Sequence, residues 1–187
     1  YSLSHFYVAD NGSMADPPHW LKDSQEKLSG IQQRLSRMEP GSRNYQQTVQ
    51  KYRLLHEHIA NQRRDFIHKE SRRIANAWDA VCMRADPLAE ISRSMKSGSV
   101  PDAGYGMFRT CLQYKLAWQG KPLIVVDRYH PTTRTCSACG MVGDAVSYKK
   151  NTWTCSKCGA VHSREVNAAK NIKALGLAQY QDLRASV

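Results

Sequence analysis

An α/β fold is predicted: a sheet domain carrying a helical hairpin, with a small zinc-binding module towards the C-terminus. Three observations carry this. Short apolar, β-branched runs alternate with helical patterns. One long stretch carries apolar residues at steps of three, four or seven, and a second, longer one sets its apolar residues on or near one face. Two Cys-x-x-Cys elements stand at the spacing of a zinc site.

Taken in order, Phe6-Tyr7-Val8-Ala9 is a strand, and Asp10-Asn11-Gly12-Ser13 supplies turn residues that tolerate left-handed dihedrals, so a hairpin is expected. Because that strand opens almost at residue 1, sequence upstream of Tyr1 is expected to complete the sheet. After Pro17-Pro18, Leu21, Leu28, Ile31, Leu35 and Met38 form the stripe of an amphipathic helix, which Pro40-Gly41-Ser42 ends. A longer helix follows, with Val49, Tyr52, Leu55, Ile59, Phe66, Ile74 and Trp78 near one face, and the two are expected to pair as an antiparallel hairpin over about residues 17–78. Ala80-Val81-Cys82-Met83 and Leu123-Ile124-Val125-Val126 read as buried strands of one sheet. Between them, residues 93–100 read as a loop and residues 105–119 as a helix carrying Met107, Phe108, Leu112, Leu116 and Trp118.

Composition narrows the function. The 187 residues are 41% hydrophobic with a formal charge of +11 and a sequence pI near 9.5, a balance that favours a polyanionic partner over a merely soluble basic surface. On the second helix, Arg43, Lys51, Arg53, Arg63, Arg64, Lys69, Arg72 and Arg73 outnumber Glu57, Asp65 and Glu70. Arg63, Arg64, Arg72 and Arg73 are the candidate phosphate contacts there, against the bland reading of a solvated face. No apolar run approaches the roughly 18 residues of a membrane span, and the first residues lack a secretory pattern. A cytoplasmic, nucleoid-associated protein with no membrane partner is expected.

Cys136, Cys139, Cys155 and Cys158 are the candidate ligands of one structural zinc ion. The intervening residues 140–154 match the roughly 15–20-residue spacing of paired Cys-x-x-Cys sites, and a single redox pair does not explain two such elements. Gly140 and Gly159 follow the pairs, as a tight knuckle with positive φ requires. Four protein ligands leave no position for water, which makes the ion structural. His130 and His162 are alternative ligands that read better as surface histidines, and Cys82 and Cys111 as small core residues. Lys149, Lys150 and Lys157, with Tyr148 and Trp153 among them, offer cations and rings to a nucleic acid, although Trp153 also suits the module's own core, and Arg134 is a further candidate contact.

The segments flanking this module, residues 126–136 (Val126-Asp127-Arg128-Tyr129-His130-Pro131-Thr132-Thr133-Arg134-Thr135-Cys136) and 164–172 (Arg164-Glu165-Val166-Asn167-Ala168-Ala169-Lys170-Asn171-Ile172), resemble the C-terminal half of the TnpB family, transposon-encoded RNA-guided nucleases related to type V CRISPR effectors. Residues 58–66 and 102–108 match as well, so the resemblance spans nearly the whole chain. It implies an RNase H-like (RuvC) sheet over residues 1–129, a zinc ribbon over 130–162, and a last RuvC helix and tail over 163–187. It also implies a guide RNA, a double-stranded DNA target and two-metal cleavage by Mg2+.

Two-metal cleavage needs clustered carboxylates, and the resemblance implies three. The first falls one residue ahead of Tyr1, outside this chain. At the second, Arg84 stands in place of Glu, and at the third Glu165 stands in place of Asp. Asp86 and Glu90 are alternative acids, against which the rigid Pro87 counts, while Asp127 reads as a capping or salt-bridged acid. A cation at one metal position and a displaced carboxylate at another predict that cleavage is lost, and for such a chain the resemblance implies a nuclease-inactive RNA-guided DNA-binding protein that represses transcription by occupying its target. The alternatives are an active Mg2+-dependent endonuclease of the same family and a zinc-ribbon DNA-binding module that uses no RNA.

Overall fold

The structure is a computed structural model, and it describes residues 5–16, 20–85, 104–144 and 150–185. The expected loop at residues 93–100, the alternative acids Asp86 and Glu90, and the candidate contact Lys149 with Tyr148 lie outside the described residues. The described chain holds four helices and three small two-stranded sheets. It divides into two compact units, one of Tyr1–Pro17, Ala75–Pro87 and Leu112–Val187, the other of Pro18–Ile74 and Leu88–Cys111.

The second unit is helical. Helix α1 spans Trp20–Leu35 and buries Leu28. Helix α2 spans Arg43–Ala77, about 52 Å of helix at 1.5 Å per residue. Ser42 caps it, its hydroxyl accepting the Tyr45 amide at 3.2 Å, which satisfies one of the orphan donors at a helix start. Gln32 on α1 donates to the Tyr52 hydroxyl on α2 at 3.0 Å. The buried stripe of α2 runs through Ile59, Ile67, Ser71 and Ile74. Sequence periodicity had put Phe66 and Trp78 on this face. Instead Phe66 is half-buried and Trp78, just past the helix end, is exposed. The stripe absorbs Ser71 because its hydroxyl donates to the Ile67 carbonyl at 2.6 Å, so a polar residue is buried without an unpaired group. The first half of helix α3, Tyr105–Trp118, adds Tyr105, Phe108 and Cys111 to the core of this unit.

The first unit opens with a hairpin, β1 (Tyr7–Val8) paired antiparallel with β2 (Met14–Ala15). Strands β3 (Val81–Arg84) and β4 (Leu123–Val126) run parallel, with Val81 beside Leu123 and Arg84 beside Val126. Parallel pairing requires a crossover, and α3 lies in that connection. Strand β4 buries Ile124 and Val126, whereas every residue of β3 is only half-buried. Strands β5 (Thr152–Thr154) and β6 (Val161–Ser163) form a second antiparallel pair. Helix α4, Arg164–Ala185, follows β6 without a break and packs against β1, β3, β4 and β6. Phe6, Leu112, Leu116, Ile124 and Val126 make the apolar core here.

Helix α4 approaches the β3–β4 pair closely at Gly176. A Cβ built there would lie 2.5 Å from Cys82 Sγ and 3.4 Å from Ile124 Cγ2. Burial pushes the Cys82 thiol up from its ordinary pKa, so it stays neutral and acts as a small packing group.

Candidate metal centre and strand-end site

Each Cys-x-x-Cys folds as the same knuckle. Gly140 donates its amide to the Cys136 carbonyl and Gly159 to the Cys155 carbonyl, both at 2.9 Å. Cys136 donates in turn to the Met141 carbonyl at 2.8 Å and Cys155 to that of Ala160 at 2.9 Å. Both glycines hold positive φ, 73° and 72°, where a side chain is strained. The knuckles face each other, and the four sulfurs lie within 4.8 Å of one another.

The sulfur spacing tests what the site fits. Cys136 and Cys158 stand 3.7 Å apart, as do Cys139 and Cys155. A tetrahedron with metal–sulfur bonds of about 2.3 Å has edges of about 3.8 Å. None of the four is oxidised to a disulfide. The spacing therefore suits a metal ion held by four thiolates. Electrostatics within the cluster agree. The amides of Cys158 and Lys157 hold the Cys155 thiol down to about 6. Although the Ala160 amide pulls the other way, burial and contact with the three other sulfurs push Cys158 up to about 12. Four thiols this close do not all ionise unless a cation neutralises them.

Helix α4 anchors the first knuckle through two asparagines. Asn167, 1% exposed, accepts the Ser137 amide at 2.9 Å and donates to the Thr135 carbonyl at 2.8 Å. Asn171, one turn on, donates to the carbonyls of Thr132 and Thr135 at 2.8 and 2.7 Å. In sequence both were only members of a matching segment. Their spacing of four on a helix face was the available signal.

Of the two histidines, His130 is exposed, as expected of a surface residue. His162 is not one. Its ring is half-buried, lies tilted against Trp153 with the ring centroids 5.0 Å apart and brings Nε2 to 3.1 Å from Cys136 Sγ. The β5–β6 register sets His162 opposite Trp153, a pairing that linear spacing does not reveal.

Of the strand-end residues, Arg84 reaches the same anchor. Arg84 ends β3, and its Nη1 donates to the hydroxyl of buried Thr132 at 3.4 Å. Glu165 occupies the first turn of α4, where a carboxylate suits the helix dipole, 3.8 Å from the Arg164 guanidinium. Asp127 accepts the Tyr129 amide at 2.9 Å, the turn-capping role expected for it. Asp10, in the turn after β1, pairs with Lys173 of α4 at 2.7 Å.

Among the candidate nucleic-acid contacts, Arg64, Arg72, Arg73, Arg134 and Lys150 are exposed and Arg63 is half-buried. Arg73 is paired with Glu70 at 2.8 Å, and Arg64 donates to Asn61 at 3.2 Å.

Two family models match the chain, one described as "Probable transposase" (OrfB_IS605) over residues 1–84 and one described as "Cas12f1-like, TNB domain" over residues 105–172. A "Putative RNA-guided DNA endonuclease" of Streptomyces pristinaespiralis is 36% identical over 166 residues, which is 88% of this chain and 41% of that protein. The TnpB-like protein L79 of Acanthamoeba polyphaga mimivirus is 27% identical over 135 residues, 67% of this chain and 25% of that protein. The chain belongs to the TnpB family. A further relative of this TnpB-family chain, InsQ of Escherichia coli K12, is 29% identical over 90% of the chain and 46% of its own length. The chain thus spans less than half the length of these curated relatives. Two solved structures share the fold, a CRISPR-Cas12f ternary complex (TM-score 0.61, 19% identity, 86% of this chain and 34% of that one) and a Cas12f1–sgRNA–target DNA complex (TM-score 0.58, 19% identity, 86% and 43%). The architecture is a Cas12f-like α/β fold.

Proposed function

We propose that this chain is the RuvC-like and zinc-ribbon part of an RNA-guided DNA-binding protein whose cleavage site is degenerate, and that it represses transcription by occupying its target. On this reading residues 1–129 carry the first part of the RuvC-like domain, residues 130–162 the ribbon, and residues 163–187 the last helix and tail. Cys136, Cys139, Cys155 and Cys158 hold a structural zinc ion, which closes the two knuckles over a module with little core of its own. The Cas12f1 neighbour was determined as a complex with sgRNA and target DNA, which supports RNA and DNA as partners here.

The observation that carries the inactive reading is Arg84. It stands at the carboxyl end of a parallel strand, the edge where α/β folds assemble their sites, and its guanidinium is turned to Thr132 beside the Asn167–Asn171 anchor. A fixed cation there repels the divalent pair that phosphodiester cleavage needs. Glu165 supplies a carboxylate one methylene longer than the Asp of the family pattern, and a displacement of about 1 Å costs roughly 100-fold in rate. With cutting disabled, binding remains. Guide pairing reads the sequence while exposed Arg64, Arg72 and Arg134 and Lys150 hold the nucleic-acid backbone. The relatives' naming as endonucleases favours one rival, an active enzyme that uses Glu165 with acids outside the described residues.

The test is to sequence the nucleic acid that co-purifies with the protein and to measure binding of a DNA matching the guide segment. A discrete structured RNA with guide-dependent DNA binding is expected. Target binding that persists without any RNA would favour a plain DNA-binding module instead.

A further inference from the structure

His162 lies outside the four-cysteine set but touches it. In the β5–β6 register it faces Trp153, and the two rings lie 5.0 Å apart at an angle of 39°. That tilted ring contact orients the imidazole. Nε2 is thereby aimed at the sulfur of Cys136, 3.1 Å away, and Cys136 is the most buried of the four cysteines at 1% exposure.

Four thiolates around a divalent cation leave two surplus negative charges, and a buried one is costly unless a donor meets it. A thiolate accepts hydrogen bonds but has no proton to give. Nε2 must then carry the imidazole proton, leaving Nδ1 as the acceptor nitrogen.

We infer that His162 is a positioning residue of the metal centre: it donates Nε2–H to the Cys136 thiolate, pins the most buried ligand and spreads its charge, and so slows loss of the metal. This rests on reading the four cysteines as a zinc site. His162 acts from outside the tetrahedron, because the cross-knuckle sulfur pairs already stand at the edge length that four sulfur ligands require. The group of candidate metal ligands among the described residues consists of the four cysteines alone. Groups that orient a metal ligand in this way typically change metal affinity by about 10-fold to 100-fold when removed.

Cobalt(II) in place of zinc gives the test a spectroscopic readout. The charge-transfer bands of the wild-type protein should show four cobalt–sulfur bonds. His162→Leu should keep that spectrum but lose cobalt to a competing chelator about 10-fold to 100-fold more readily. His162→Gln, whose amide N–H reaches about as far as Nε2, should recover most of the retention, and the shorter His162→Asn should not. The Gln and Asn variants pose the same question should the Leu variant fail to fold. Equal retention in all variants overturns the inference, as does a wild-type spectrum with three sulfurs and one nitrogen, which would make His162 a ligand. No cobalt binding by the wild type overturns the zinc reading itself, and this inference with it.

Discussion

Replacing Gly176 with Ala tests the packing of α4 on β3 in a way that isolates one term. The new Cβ would sit 2.5 Å from Cys82 Sγ and 2.9 Å from Cys82 Cβ, against an ordinary contact distance of about 3.5–4.0 Å. Helix and strand must therefore separate by about 1 Å, an overpacking cost of roughly 1–3 kcal/mol. Alanine also gains about 1 kcal/mol of helix propensity over glycine, which would mask part of that cost. Gly30, exposed on α1, has nothing within 4 Å of its virtual Cβ, so Gly30→Ala shows the propensity gain alone. Urea unfolding followed by circular dichroism should find Gly176→Ala about 1–3 kcal/mol less stable than Gly30→Ala. If the two substitutions stabilise equally, the close approach of α4 to Cys82 is not real.

Asn167→Ala leaves the Ser137 amide without its partner and removes a donor to the Thr135 carbonyl. It should cost about 1–3 kcal/mol and weaken metal binding, both readable in one cobalt(II) titration with urea unfolding alongside; unchanged values would show that α4 does not anchor the knuckle. Chelation should abolish the ordered β5–β6 module while most of the helical signal survives, and a proton-exchange map that stays protected over residues 150–163 would contradict this. Metal affinity should fall as pH falls, because each ligand must surrender a proton: Cys155, held down to about 6, is ionised near neutrality, whereas Cys158, pushed up to about 12, is ionised only by the metal. Competition titrations at about pH 8 and about pH 6 measure it, and equal affinities would oppose a thiolate site. The pair Arg84→Glu with Glu165→Asp should restore only partial Mg2+ binding by calorimetry. Tight binding of two ions would mean that these positions are misassigned.

Much of this was legible in the chain itself. Periodicity of three to four residues found α1, α2 and α3, and the β-branched run at residues 123–126 found β4, because these signals are local. The knuckles were legible because thiolate pairs and their positive-φ glycines have a fixed spacing. Contacts that depend on tertiary register were not. His162 looked like a surface histidine until the β5–β6 pairing turned it to Cys136. Asn167 and Asn171 carried a usable signal, two amides four residues apart on a helix, but their acceptors lie more than 30 residues earlier. Ile67 displaced Phe66 from the stripe of α2 because a 35-residue helix drifts relative to any simple repeat.

Cleavage is the decisive measurement. The protein with its co-purified RNA, given Mg2+ and a plasmid bearing the matching target, should bind the target and leave the DNA intact over times at which an active enzyme turns over. Robust cutting that disappears in Glu165→Ala would contradict the inactive site and make this chain part of a working endonuclease.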